Sequence, residues 1–422
     1  MHAKLRRKDA KRALMEAVLQ VFYEPSSACR PDDLARFPLE LWQTIYHWLD
    51  SNGIALYFLD RVKELGREAL LPTETLRRLQ GNLQENRLRN AALLDELKHL
   101  SRAFTQAGLK FAHLKGLTLV PYACADFALR QQQDLDFLIY AKDADACRHL
   151  LGERGYLLTA AGPRTWEFKT GSPRLPEIGD LYKPKTERAV DLQFEAAGAP
   201  SRLDRIRWRM VGDLEVPTLD GADIFLLQAR HLLQHLRSEW IRLSWLLEFR
   251  NSIVSRQDDV AFWLEVREKA AGDADLLTGI GAGMSLSAQV FGEFAQPRPM
   301  RSAIPALEPR MKLWLDRYGR EAVLADFPGT KLYLLQPDLA SGPGGLARLR
   351  RHRLFPLRRP PRMVTAGTNG VSDQLGRCSS QLKFIVLRLR FHIAQGWRYA
   401  VEAPRWKRIL LRAERRLAGM TE

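Results

Sequence analysis

The stretch that decides the fold runs from 113 to 140, HLKGLTLVPYACADFALRQQQDLDFLIY. Its last seven residues alternate as a strand does. Asp134 and Asp136 fall on one face, and Leu135, Phe137 and Ile139 on the other. Carboxylates inside an apolar run carry a desolvation penalty. Two of them this close repel, which drives one toward protonation unless a cation lies between them. A hard divalent ion held by one or two carboxylates plus substrate phosphates removes that penalty. Asp-x-Asp spacing is common in loops, so its neighbours carry the weight.

Working outward, Lys115-Gly116 ends a short strand candidate, LKFAHL. A strand that ends in glycine and opens a helix offers backbone N–H groups to a phosphate. Lys115 can neutralise that phosphate, or it can simply lie along the surface beside a turn glycine. Thr118 is the nearest hydroxyl. Arg130, four residues before Asp134, suits either the leaving phosphates or an ion pair with Asp134 or Asp136. Further on, AVDLQFE alternates again, with Asp191, Gln193 and Glu195 on one face. Asp191 is a third acid, able to accept a proton from an attacking hydroxyl or to bind a second metal. Glu195 reads as part of an exposed polar face.

The chain has 422 residues, 46% hydrophobic and 27% charged, which is globular composition with room for two or three domains. Four cysteines, Cys29, Cys124, Cys147 and Cys378, form no Cys-x-x-Cys pair. Free thiols in a reducing cytosol are expected, and a disulfide framework or structural zinc is not. The basic-then-apolar start, MHAKLRRKDAKRALMEAVLQVF, is interrupted by Glu16 and Gln20 and reads as an amphipathic helix rather than a leader. No run approaches the roughly 18 apolar residues of a membrane span. A soluble, cytoplasmic protein is expected. Its net charge of +16 is uneven. Residues 341–422 hold 18 Lys and Arg against 4 Asp and Glu, a net +14, which leaves +2 for the first 340.

The pattern predicts an α+β protein: helices over 1–105, a small mixed-sheet core over 106–218, a helical region over 219–337, and a basic linker and helical tail over 338–422. In the core, LTLVPYACADFAL reads as a helix or helical turn with Pro121 near its start. KDADACRHLLGERG reads as a helix capped by Asp143 and stopped at Gly155, and YLLTA, TWEFKT and DLYKP as strands. No glycine-rich dinucleotide or Walker loop adjoins them.

Lys-Gly, a helix, Leu-Arg, the Asp-Leu-Asp-Phe-Leu-Ile strand and a later Val-Asp-Leu-Gln strand together resemble the uncharacterised nucleotidyltransferase family of the DNA polymerase beta-like superfamily. HLLQHLRSEWIRLSWLLEF is similar to that family's paired histidines followed by Leu-x-Trp and an acid. The resemblance covers roughly residues 90–250. It implies a magnesium-dependent (or manganese-dependent) transfer from a nucleoside triphosphate. Asp134 and Asp136 would bind metal, Asp191 would be the third carboxylate and metal ligand, Gly116 would lie near the triphosphate, and Lys115 and Arg130 would be charge-stabilising neighbours. The chain departs from the pattern in four places. Gly116 is followed by Leu117, eighteen positions separate Gly116 from Asp134, Gln193 stands where histidine is frequent, and Glu248 stands where aspartate is frequent.

His231 and His235 share a helix face but lack the carboxylate of a His-Glu-x-x-His zinc motif. They pack on the sheet or line an acceptor pocket, with Arg242, Trp245 and Glu248 of similar status. The expected acceptor is a hydroxyl or phosphate on a small molecule, peptide or protein, acidic or phosphorylated where the arginines receive it. The tail mixes Arg with Phe384, Phe391, Trp397, Tyr399 and Trp406. It reads chiefly as a helix packed through its apolar side, with nucleic acid or an anionic membrane as the other partners its charge fits. Two other functions compete with nucleotidyl transfer: glycosyl transfer from a nucleotide sugar, which also uses Asp-x-Asp and a metal, and a non-catalytic binding module acting through the tail.

Overall fold

Alternation in DLDFLIY produces the central strand of the molecule. The structure is a computed structural model. It describes residues 2–24, 31–171, 180–184, 187–195, 201–211, 214–238, 241–295, 307–324, 331, 334–335 and 371–418. Among the described residues seven strands make one mixed sheet: β1 (Phe111–Leu114), β2 (Leu135–Ile139), β3 (Leu157–Ala161), β4 (Thr165–Lys169), β5 (Ala189–Phe194), β6 (Arg207–Val211) and β7 (Leu214–Thr218). They lie in the order β3-β4-β5-β2-β1-β7-β6. β2 pairs antiparallel with β1 and parallel with β5, so Asp136 stands opposite Leu114 on one side and opposite Asp191 on the other. A strand covered on both sides should be apolar on both faces. All five residues of β2 are buried, Asp136 included.

One face of the sheet is covered by the second half of α5 (Thr73–Gln106) and by α6 (Ala144–Glu153). There Leu97, Leu100 and Phe104 meet Leu135, Phe137 and Ile139. The helices before α5, α1 (His2–Gln20), α2 (Leu39–Gln43), α3 (Tyr46–Ser51) and α4 (Ala55–Glu64), do not form a core of their own. They share one with α7 (Gly221–Ser238), α8 (Leu243–Val254), α9 (Val260–Ala270) and α10 (Ala274–Phe291), through residues such as Trp42, Phe58, Phe225, Phe249 and Phe291. Two short helices follow, α11 (Pro309–Trp314) and α12 (Arg320–Leu324), joined by a π-turn, and the last is α13 (Val371–Ala418). The α+β expectation therefore holds.

Several local expectations change. For LTLVPYACADFAL the helical-turn alternative holds and the α-helix does not: it has two 3-10 turns, Gly116–Leu119 and Phe127–Leu129. The first stops because Val120, which precedes proline, is extended at φ −78°, ψ 141°. DLYKP is not a strand. The Leu181 carbonyl accepts from Arg89 Nη1 at 3.0 Å, and the Tyr182 hydroxyl donates to Asp50 Oδ1 at 3.0 Å, which ties the segment to α5 and α3. Asp143 makes no side-chain cap, while Gly155 ends α6 at φ +80°. β6 and β7 are additional strands of the 106–218 core. Cys124 and Cys147 are buried free thiols.

The tail helix packs only in part. Trp406 is buried against Tyr318, with ring centroids 5.7 Å apart, and Ala403, Ile409 and Leu410 join the helical core. Before them, Leu382, Leu387, Ile393 and Trp397 are all more than 60% exposed, which corrects the reading of a helix buried along its whole apolar side. The 338–361 linker lies outside the described residues. Among the described residues no helix is long and apolar enough to cross a membrane.

Candidate active site

Strand register brings the three acids together. Asp136 is the second residue of β2, Asp191 is its direct partner on β5, and Asp134 stands one residue before β2 begins rather than within it. Across β5 the antiparallel partner of Asp191 is Glu167 on β4. A row of carboxylates thus runs over three neighbouring strands, from buried Asp136 through half-buried Asp191 to exposed Glu167. Only the register reveals Glu167, since in sequence it is one exposed acid in TWEFKT.

Lys115 answers the row from the end of β1. Its Nζ donates to Asp136 Oδ1 at 2.6 Å, and Gln193 Nε2 donates to the same oxygen at 3.0 Å. The other oxygen, Asp136 Oδ2, is buried with no hydrogen-bond partner among the described residues. Burial first, and then the charge of Asp134, push the Asp136 carboxyl up to about 6, although Lys115 works against this. Asp191 is pushed up to about 7, again by burial first and then by Asp136, Asp134 and Glu167. Burial opposes the charge on Lys115, but Asp136, Asp134 and Asp191 outweigh it and hold the ammonium above the ordinary lysine value.

The turn that aims Lys115 is strained. Lys115 sits at φ 51°, ψ −158°, a region that is essentially glycine-only and costs of order 1–3 kcal/mol for other residues. Gly116 follows at φ +43°, where a Cβ would meet the Gln132 side chain at 2.8 Å. The glycine is therefore required by protein packing in its own right. The helix expected after it is one 3-10 turn of four residues, too short for the N-terminal field proposed for it. Thr118 is buried in that turn, and its hydroxyl donates to the Lys115 carbonyl at 2.9 Å. It closes the turn.

Arg130 pairs with neither Asp134 nor Asp136. Its Nε donates to Glu248 Oε1 at 3.0 Å, an oxygen that also accepts from the Tyr57 hydroxyl at 2.7 Å. Nη1 of Arg130 donates to Gln132 Oε1, and Gln132 Nε2 donates to the Asp134 carbonyl. From the other side, α5 clamps the same segment. Asn86 and Asn90 donate to the carbonyls of Ala128, Phe127 and Arg130, while Arg89 donates to the Gln132 carbonyl at 2.9 Å and to Gln133 Oε1 at 2.7 Å. Asn86 and Asn90 fall in the stripe that otherwise holds Leu79, Leu83, Leu93 and Leu97. Two amides at buried positions of an apolar stripe were the available signal for this clamp. Glu195 pairs with Arg202 at 3.1 Å, and is not part of the row.

α7 and α8 complete the wall. His231 packs edge-on against Trp245 and His235 packs tilted against it, at 4.6 and 4.2 Å between ring centroids, and the two histidines meet edge-on at 4.3 Å. Burial, then His235, Lys115, Arg130 and Arg242, push His231 down to about 3, so it is a neutral ring beside three cations. Arg242, 5.5 Å over the Trp245 ring, feels both Asp134 and Glu248.

Among the described residues no three His, Cys, Asp or Glu side chains form a metal cage. The donor set suits a different arrangement. An orphaned Asp136 oxygen beside Asp134 and Asp191 fits a cation that takes its remaining ligands from a phosphate-bearing substrate, as magnesium does. No curated protein matches the chain. Residues 38–292 match the family described as uncharacterised nucleotidyltransferase, well over half of the length, and the chain belongs to that family.

Proposed function

We propose that this nucleotidyltransferase uses a divalent metal to move a nucleoside monophosphate from a nucleoside triphosphate onto a hydroxyl or phosphate acceptor. General nucleotidyl transfer follows from the family; the donor, metal and residue roles are the proposal. The single observation that carries it is the pairing of Asp136 with Asp191 across β2 and β5, with Lys115 bound to one Asp136 oxygen and the other oxygen unpartnered.

In this reading Asp134 and Asp136 hold magnesium, or manganese in its place, with Asp191 as the third ligand or as the base. When bound, the metal supplies charge neutralisation for the triphosphate. Asp191, with its proton affinity raised to about 7, takes the proton of the acceptor hydroxyl. The acceptor oxygen then bonds to the α-phosphorus, the α–β bridging P–O bond breaks, and pyrophosphate leaves. Lys115 offsets negative charge on the phosphates, and Gln193 orients Asp136. Arg242 supplies a cation on the side of α7 and α8, with the His235 ring beside it against Trp245. Arg130 acts as a positioning residue: locked on Glu248 and Gln132, it sets where Asp134 lies. The third carboxylate favours nucleotidyl over glycosyl transfer, since a sugar donor needs the metal only for its diphosphate.

The test is pyrophosphate release from each of the four nucleoside triphosphates with magnesium or manganese, with nucleotide sugars as competitors. Wild type is compared with Asp136→Asn, and the fold is checked by circular dichroism. Metal-dependent release that is lost in the variant supports the reading. Undiminished turnover in Asp136→Asn, or release of free nucleoside diphosphate from a nucleotide sugar, sinks it.

A further inference from the structure

Helix α13 carries a second feature that the transfer site does not use. From Leu382, apolar residues recur at i+3, i+4, i+7, i+11 and i+15: Ile385, Val386, Leu389, Ile393 and Trp397. That spacing makes one stripe along four turns of helix. All six are exposed, from 36% for Ile385 to 74% for Trp397. Contiguous apolar exposure of this kind marks an interaction surface. Between Gln374 and Val401 the chain has five basic residues, Arg377, Lys383, Arg388, Arg390 and Arg398, and no Asp or Glu.

We propose that this stripe docks the protein in the plane of an anionic lipid bilayer. An apolar face that includes Trp, on a helical stretch (374–401) whose Lys and Arg are matched by no Asp or Glu, is the composition of interfacial helices. The attraction of each Lys or Arg to anionic headgroups adds to the burial of the stripe. Charge decides against the rival occupants. A second copy would bring five like charges against five more. The chain's own 338–370 segment is also basic, with seven Arg against Asp338 alone. Nucleic acid would suit the arginines, but it would leave the Leu, Ile and Val side chains in water. The helix ends in a foothold on the body, through buried Trp406 and an ion pair between Arg310 and Glu414 at 3.2 Å. It therefore lies on the surface as part of the folded protein.

The experiment is co-sedimentation of the full chain with phosphatidylcholine vesicles containing about one third phosphatidylglycerol, beside pure phosphatidylcholine vesicles. Binding to the mixed vesicles is expected, weakening roughly tenfold or more in pure phosphatidylcholine or high salt. Ile393→Asp with Trp397→Asp should abolish it, and Arg390→Glu with Arg398→Glu should weaken it by a similar factor, with melting temperatures unchanged because these positions are exposed. Wild-type binding by the stripe variant overturns the proposal. So does retention on duplex DNA or RNA without retention on vesicles, or a dimer that Ile393→Asp dissociates while vesicles capture nothing. Pyrophosphate release in solution is a separate readout, so the transfer reading and this one fail independently.

Discussion

Two buried carboxylates, one on the helix that covers the sheet and one on its central strand, behave in opposite ways. Glu96, on α5, accepts from Arg154 Nε at 3.2 Å and Nη2 at 3.1 Å, from the Tyr156 hydroxyl at 3.2 Å, and from Arg188. Burial pushes its carboxyl up, but the Arg154 hydrogen bonds and the charges of Arg188 and Arg154 win, and it lies below the ordinary value. Asp136 has one cation and one amide on a single oxygen, like-charged neighbours, and a carboxyl pushed up to about 6. The first acid is structurally complete. The second is held in readiness for a positive charge from outside the protein. Strongly perturbed acids without enough internal partners are the kind that functional sites collect.

The sharpest way to break that comparison is Asp136→Asn, which should lower nucleotidyl transfer by roughly 10³-fold or more while leaving the fold intact. Activity and circular dichroism measured together decide it. Next comes Glu96→Gln, expected to cost about 2–3 kcal/mol of stability at neutral pH by leaving its arginine partners unmatched. The sign with pH follows from the depressed carboxyl. The Glu96 contribution is fully present above its ordinary value of 4.5 and is lost as pH falls through the folded value. Urea denaturation of the two proteins should therefore converge only in acid, as pH falls from 4.5 through the depressed folded value.

Gly116→Ala is expected to cost about 1–2 kcal/mol, because the new Cβ meets Gln132 at a left-handed backbone. Through Gln132 it should also slow transfer. The smallest effect has the opposite sign. Asp191→Asn should stabilise the metal-free protein by about 1 kcal/mol at pH 8. A carboxyl raised from 3.8 to about 7 carries its penalty in full above both values and loses it as pH falls through them. The gain should therefore vanish near pH 4, and thermal melts across pH follow it. Loss of activity with gain of stability would set Asp191 with Asp136, whereas a destabilised Asp191→Asn would set it with Glu96.

Asp134, Asp136, Asp191 and Gln193 were legible along the chain because side-chain alternation in a strand is a local property with a period of two. The acids and their apolar backing follow from it without knowledge of any partner. The clamp from α5 was half-legible: Asn86 and Asn90 interrupt a leucine stripe, but nothing local says that their amides reach 37 to 44 residues ahead to close the loop before Asp134. Of the two readings of Arg130, the ion pair with Asp134 or Asp136 fails for a similar reason. Four residues from Asp134 it looks like that acid's partner, yet its true partner, Glu248, is 118 residues away on α8.

By itself the sequence determined the strand faces, the basic tail, the α+β class and three acids as candidates, Asp134, Asp136 and Asp191, all of which depend on short-range periodicity and composition. Only the tertiary structure decided which acid faces which. Register across three strands placed Glu167 beside Asp191, and the strained turn at Lys115 delivered an ammonium to one Asp136 oxygen and left the other unpartnered. Hydrogen-bond satisfaction of a buried carboxylate is a property of groups brought from distant parts of the chain. No spacing along it could say that Glu96 is complete and Asp136 is not.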